Sequence, residues 1–409
     1  IRWKTTPMNF LERMAKLIGI GDEETSNPEL DTLRLLLEQG RVFKRAEHYN
    51  DALDTLEQAE RLATAQNNLT LATIISLNRA EVYISQKRWD DARTTLEQLQ
   101  DKLGESTRQI GYILDKFGVL AQAQGKWEDA QDYYEQARRV ARDNNTPTAE
   151  GRAQGHLADV YMHDGNASYS VHLLQEALEK LRLSGDLELG SYFTGRLGEA
   201  FIATGQEEQG RQLLGRALRI AKQINHRTLE RRWHQVLAEQ AMLMRRYVSA
   251  KEHYVEALSS FDEENAREAY VTLLCRLSKS CLRLREYDHA LGYARRAVEF
   301  SESLEPDDIS TLKAQAALGI VLRSLHQHDT AIDYLKRAEA QYTPIETTHA
   351  DYSHVEILRN LAASSATEGA IPEAKTYYTK ALQRSEKDDD PTDRAGTYRD
   401  LGILFAGQN

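Results

Sequence analysis

A short polar turn followed by an alanine, with a second alanine seven positions later, recurs along this chain. Most copies carry an aromatic in the turn: YNDALDTLEQA, WDDARTTLEQL, WEDAQDYYEQA, YVSAKEHYVEA and YDHALGYARRA. HDTAIDYLKRA has histidine in place of the aromatic, and IPEAKTYYTKA closes the series. The first alanines are Ala52, Ala92, Ala130, Ala250, Ala290, Ala331 and Ala374, and Ser170 and Gly210 stand at the same place in two degenerate copies. Successive spacings are 40, 38, 40, 40, 40, 40, 41 and 43 residues. A period in this range denotes stacked repeats.

A second signature, bulky then small, lies twelve residues before each key position: Phe117-Gly118, Leu157-Ala158, Leu197-Gly198, Leu237-Ala238, Leu277-Ser278, Leu318-Gly319 and Leu361-Ala362. Gly40 and Ala80 hold the small position in the first two copies, and Phe43, Tyr83, Tyr161 or Phe201 follows three residues on. The second alanines are Ala59, Ala137, Ala177, Ala217, Ala257, Ala297, Ala338 and Ala381. Steps of three, four and seven place these residues on one face of a helix. A small residue lets two helices approach, and a large one nearby fills the remaining space. Each copy therefore reads as an antiparallel pair, helix A and helix B, apolar on two sides and dependent on its neighbours for cover.

The expected repeats span about 33–66, 73–106, 111–144, 151–184, 191–224, 231–264, 271–304, 312–345 and 355–388, within a single array over 29–409. Pro28, Pro147, Pro306, Pro344 and Pro391 fall outside the pairs or at their edges, and Pro372 falls at the start of a helix B, where its missing N–H costs nothing. Residues 1–28 form an N-terminal segment in which FLERMAKLIGIG, residues 10–21, reads as a short amphipathic capping helix. Residues 395–409 match helix A of a tenth repeat through Leu401-Gly402 and Phe405. That partial copy stands either for a terminal cap or for a native chain that continues, and Met8 is a candidate native start.

These spacings resemble the tetratricopeptide repeat: a Leu-Gly pair, an aromatic three on, then Ala-x-x-x-aromatic and a further Ala. The resemblance covers roughly 33–409 and implies an all-α, right-handed α-solenoid of about nine helix pairs plus terminal helices. A period nearer 40 than 34 is similar to the arrays of kinesin light chains, of Leu-Gly-Asn-repeat spindle-orientation adaptors, and of bacterial regulators of the maltose-activator and peptide-receptor types. In such arrays helix A lines a concave wall whose non-core positions meet a protein or peptide. The matching positions are Arg41, Asn78, Glu81, Asp115, Arg152, His156, Asp159, Arg196, Glu199, Arg232, Gln235, Glu239, Arg276, Lys279, Arg283, Lys313, Arg323, Arg359 and Asn360. No adjacent copies supply the Lys-Asn and Asn-Lys-Arg set with which that family clamps a chaperone's C-terminal carboxylate.

Composition narrows the partner. The chain of 409 residues has 52 basic and 63 acidic residues, a net charge of −11, which disfavours nucleic acid. The exception is 211–246, where Arg211, Arg216, Arg219, Lys222, Arg227, Arg231, Arg232, Arg245 and Arg246 cluster, either as a seat for an acidic partner or as a charged outer helix face. No run approaches the ~20 apolar residues of a membrane span. Two cysteines, Cys275 and Cys281, six apart, make no disulfide framework and fit a cytoplasmic setting.

Catalytic signatures are absent. Gly125-Lys126 is followed by Trp127 and makes no phosphate loop, and there is no G-x-S-x-G, H-E-x-x-H or C-x-x-C. The pairs His326/His328 and His156/His163 lack a third ligand at metal spacing. No enzyme, metal or cofactor is expected. The expected activity is that of a protein- or peptide-binding scaffold, able to self-associate through terminal repeats. The alternative is the sensor arm of a larger bacterial signalling or transcription regulator, and nucleic-acid binding ranks last.

Overall fold

The computed structural model describes residues 28–104, 109–261, 267–302, 309–342 and 351–407. The expected capping helix at 10–21, Pro306 and Pro344 lie outside them. Nineteen helices and no strand occur among the described residues: α1 Pro28–Arg45, α2 Tyr49–Ala65, α3 Leu69–Ser85, α4 Trp89–Leu103, α5 Ile110–Ala123, α6 Trp127–Asp143, α7 Pro147–His163, α8 Ala167–Leu181, α9 Leu187–Ala203, α10 Glu207–Gln223, α11 Arg227–Leu243, α12 Tyr247–Ser259, α13 Arg267–Arg283, α14 Tyr287–Ser301, α15 Ile309–Ser324, α16 His328–Gln341, α17 His354–Thr367, α18 Ile371–Lys387 and α19 Pro391–Ala406. Odd-numbered helices carry the bulky-small signature and are the A helices. The chain is all-α, and its helices follow one another in tandem pairs.

Burial follows that assignment. α7, an A helix, buries residues on nearly every side, from Thr148 and Ala149 through Gly155 and Leu157 to Val160. α6, a B helix, buries only the stripe Ala130, Tyr134, Ala137 and Ala141, the spacing of one helical face. A helices are thus sandwiched, while B helices keep one face in water. The degenerate copies obey the same geometry. Ser170 replaces alanine, and its hydroxyl donates to the Ala158 carbonyl at 2.9 Å. Gly210 meets Gly198 backbone to backbone: a Cβ on Gly210 would stand 2.5 Å from the Gly198 carbonyl oxygen.

The A-to-B turns share one backbone device. Glu47, Lys87, Gly125, Gly165, Gly205, Arg245, Arg285, His326 and Gly369 all have φ between 57° and 84°, and each lies five residues before a key position. This left-handed residue ends helix A. In the third copy the Gly125 N–H bonds the Gln122 carbonyl and the Lys126 N–H bonds that of Ala121, both at 2.9 Å.

Two compact units divide the chain, residues 1–233 and 234–409. In the first, α1–α10 and the start of α11 pack around Leu33, Leu56, Ile113, Leu120, Leu157, Phe193 and Trp233. In the second, the core centres on Tyr270, Leu274, Leu277, Ala317, Leu335 and Leu361. α19, an A helix without a described B partner, leaves Tyr398, Ile403 and Phe405 exposed.

Candidate functional site

In the first unit the inner faces of five successive A helices surround one chamber of about 400 Å³. Its wall is built from α1, α3, α5 and α7, the start of α9 and Ile224 ahead of α11. Arg41, Asn78, Glu81 and Arg152, all expected at a ligand surface, line it. So do Lys44, Lys116, Tyr112, Asp186 and Glu188, which the repeat pattern did not single out. Ile74, Leu77, Leu187, Leu189 and Ile224 give the wall an apolar strip.

The charges on this wall are balanced. Lys44 reaches Glu81 at 2.5 Å and Glu188 at 3.0 Å. Lys116 also pairs with Glu81. Glu188 further meets Arg45 and His226, each at 3.5 Å. Burial opposes charge on Lys44, but Glu188 and Glu81 outweigh it and raise its pKa. Burial likewise opposes charge on Glu81 and Glu188, and their cations hold both below the usual carboxylate range. Beneath the wall, Asp115 is fully buried and bonds His156 Nδ1 at 2.7 Å. Burial alone would raise this carboxyl; His156, Arg152 and Lys116 lower it to about 2.

Arg152 differs from the others. Its guanidinium lies 3.6 Å from Asp115 and Asp186 and 4.0 Å from Glu81, close enough to balance charge but beyond hydrogen-bond length. Its Nε is buried with no hydrogen-bond partner, and Tyr112 lies under the guanidinium at 5.7 Å. The planar fork of an arginine suits two parallel acceptors.

A clasp closes this unit on itself. Glu47, in the α1–α2 turn, accepts from the Thr228 hydroxyl at 2.8 Å and from Arg231 Nη1 at 3.2 Å, and Arg231 Nη2 bonds it too. Arg231 therefore belongs to this buried contact. Of the other basic-stretch residues in this unit, Arg211 pairs with Glu207 and Glu208. Arg216 is half-buried, and Arg219, Lys222 and Arg227 are exposed.

Farther along the same face Tyr192 donates to Asp159 at 2.7 Å, Arg196 bridges Asp159 and Glu199, and Arg232 stacks over Tyr192 and Trp233 while meeting Glu199 at 3.4 Å.

In the second unit, Glu239 pairs with Arg276. Arg276, Lys279 and Lys313 converge on Asp351. Gln235 and Arg323 are half-buried, while Arg283, Arg245 and Arg246 are exposed. Arg359 bonds Asp400 through two nitrogens, and the Asn360 side chain donates to the Glu356 carbonyl. Cys275 and Cys281 are buried free thiols; burial pushes Cys281 up to about 11 and raises Cys275 as well. Among the described residues no group of three or more His, Cys, Asp or Glu could hold a metal ion. No helix there is long and apolar enough to cross a membrane.

Comparison with known proteins agrees with the repeat geometry. Two tetratricopeptide repeat family models match, one over residues 70–143 and 272–343 and the other over 116–184. A curated relative, tetratricopeptide repeat protein 29 of Trypanosoma brucei brucei, is 24% identical over 220 residues. The chain is a tetratricopeptide repeat protein. That match covers 52% of this chain and 45% of the relative, so the chain spans under half the length of the curated protein it resembles. Among solved structures, this tetratricopeptide array is similar to the apo quorum sensor NprR from B. thuringiensis, with a TM-score of 0.57, 16% identity, and coverage of 84% of this chain and 98% of that one. A Signal Transduction ATPase with Numerous Domains protein with a tetratricopeptide repeat sensor, from Pyrococcus horikoshii, also has a TM-score of 0.57 and 16% identity, with coverage of 82% and 50%. At that identity the likeness is one of fold.

Proposed function

We propose that this chain is a protein- or peptide-binding scaffold and that the chamber of the first unit is its ligand seat. The observation that carries this reading is Arg152: a largely buried guanidinium on the wall, charge-balanced but without a hydrogen bond among the described residues. Peptide carbonyls or a carboxylate would fill its fork, and the strip from Ile74 to Leu189 would take apolar side chains. The size of the chamber suits a few residues of peptide.

A second reading, the sensor arm of a larger signalling or transcription regulator, draws on the fold neighbours. One is a quorum sensor, and the other carries its tetratricopeptide repeats as a sensor. Both readings place the ligand on inner helix-A faces, and neither gives the repeats a catalytic role. An RNA or DNA ligand would have to overcome the net charge of −11.

The test is selection from a random-peptide display library on the full chain, followed by titration of the winners. Arg152→Ala and Asn78→Ala should each weaken their binding about tenfold, or 1.4 kcal/mol. Winners that bind both variants as well as wild type, or a library that yields none, would sink the assignment.

A further inference from the structure

On the inner face of α13 and α15, in the second unit, two residues from elsewhere in the chain are seated. The longest sequence interval between successive described helices is residues 342–353, before α17, of which 342 and 351–353 are described. The 43-residue step from Ala331 to Ala374 is where that extra length enters. Asp351 and Tyr352, near its end, reach back to α13, two A helices earlier.

Arg276 Nε donates to the Asp351 carboxylate at 2.9 Å, and Lys313 of α15 lies 3.7 Å from its other oxygen. Lys279 Nζ donates to the Asp351 main-chain carbonyl at 2.8 Å and stands 4.8 Å over the Tyr352 ring. That ring is 2% exposed, and its hydroxyl donates to the Cys275 carbonyl at 3.1 Å.

A connector residue ordinarily runs over the surface. Here a carboxylate, a peptide carbonyl and a buried ring sit on three cations at helix-A ligand positions. That is how a linear motif is held: a charge gripped by arginine, a main-chain bond and an aromatic anchor. The grip is also incomplete, because Asp351 Oδ2 is buried with no hydrogen bond.

We propose that the inner face of α13 and α15 is a binding site for an acidic–aromatic segment, Asp-Tyr or Glu-Tyr, of a partner protein, and that Asp351 and Tyr352 are an internal stand-in which that segment displaces. The proposal concerns a second surface and holds whether or not the chamber of the first unit binds a ligand.

The probe is a fluorescein-labelled Ala-Asp-Tyr-Ser-His peptide, followed by polarisation on the full chain. Asp351→Ala/Tyr352→Ala should bind it at least about tenfold more tightly than wild type does. Arg276→Gln in that background, or Asn for Asp in the peptide, should remove the gain. Arg152→Ala in the first unit should leave it unchanged, which keeps this result separate from the chamber reading. Loss of the Tyr352 ring leaves a cavity that can unfold the unit. Asp351→Ala alone therefore serves as the second variant, with an expected gain of about threefold, or 0.6 kcal/mol. Equal binding to wild type and vacated chain overturns the proposal. So does a natively helical vacated variant with no saturable binding, or no gain for Asp351→Ala.

Discussion

Glu47 and Arg285 occupy the same place in different repeats, five residues before Ala52 and Ala290, and both are forced to positive φ, at 65° and 61°. A residue with a Cβ loses about 1 kcal/mol there relative to glycine. On backbone grounds alone, Glu47→Gly and Arg285→Gly should both stabilise. The side chains reverse one of the two signs. Arg285 is exposed, so Arg285→Gly should gain up to about 1 kcal/mol. Glu47 is buried and accepts from Thr228 and Arg231. Removing one member of a buried ion pair strands the other charge and costs about 3–5 kcal/mol. Less the backbone gain, Glu47→Gly should lose about 2–4 kcal/mol, and Glu47→Gln, which keeps the backbone cost, should also lose stability. Native-state hydrogen exchange reads each substitution helix by helix. Trp89, Trp127 and Trp233, the tryptophans among the described residues, all lie in the first unit, so urea unfolding followed by tryptophan emission reads Glu47 there. A Glu47→Gly chain as stable as wild type would refute the claim that this pair holds the first unit closed.

Two further outcomes follow from the same unit. A Cβ on Gly195 would stand 2.3 Å from the Trp233 ring, which is fully buried. Overpacking of this kind costs about 1–3 kcal/mol and exceeds the helix-propensity gain of alanine, so Gly195→Ala should lower the urea midpoint and red-shift tryptophan emission. Asp115, held at about 2 against about 3.9 in the unfolded chain, contributes stability that is fully present above pH 4. That contribution, about 2–3 kcal/mol, should fade as pH falls from 4 toward 2. The urea midpoint of wild type should therefore drop more steeply with acid than that of Asp115→Asn, and parallel curves would contradict the assignment.

Much of this was written in the period. Helix identity and the A and B roles follow from steps of three, four and seven, because each repeat meets only its neighbours and local spacing fixes those contacts, whereas the placing of Arg41, Asn78, Glu81 and Arg152 on a helix-A wall was what the family resemblance implied. The turn device was legible as well: glycine recurs five residues before the key position, at Gly125, Gly165, Gly205 and Gly369. What spacing does not encode is how small rotations between repeats add up. Lys44 meets Glu188, and Glu47 meets Arg231, across 144 and 184 residues. Those partners depend on the curvature of the whole unit, so neither Glu188 nor the burial of Arg231 could be read from its own repeat.

The two inner faces show how little the identity of the lining residues decides by itself. Arg152 and Arg276 both stand on inner helix-A faces and both face carboxylates. Arg276 is bonded to one from a distant connector, whereas Arg152 is only near its own. Arg152 also meets a connector carboxylate, Asp186 just ahead of α9, but at 3.6 Å and without a hydrogen bond. Asp351 and Tyr352 stand immediately ahead of α17 and bond Arg276 and the Cys275 carbonyl of α13. Replacing both side chains with alanine should therefore free the α13 and α15 cations without altering a single inner-face residue.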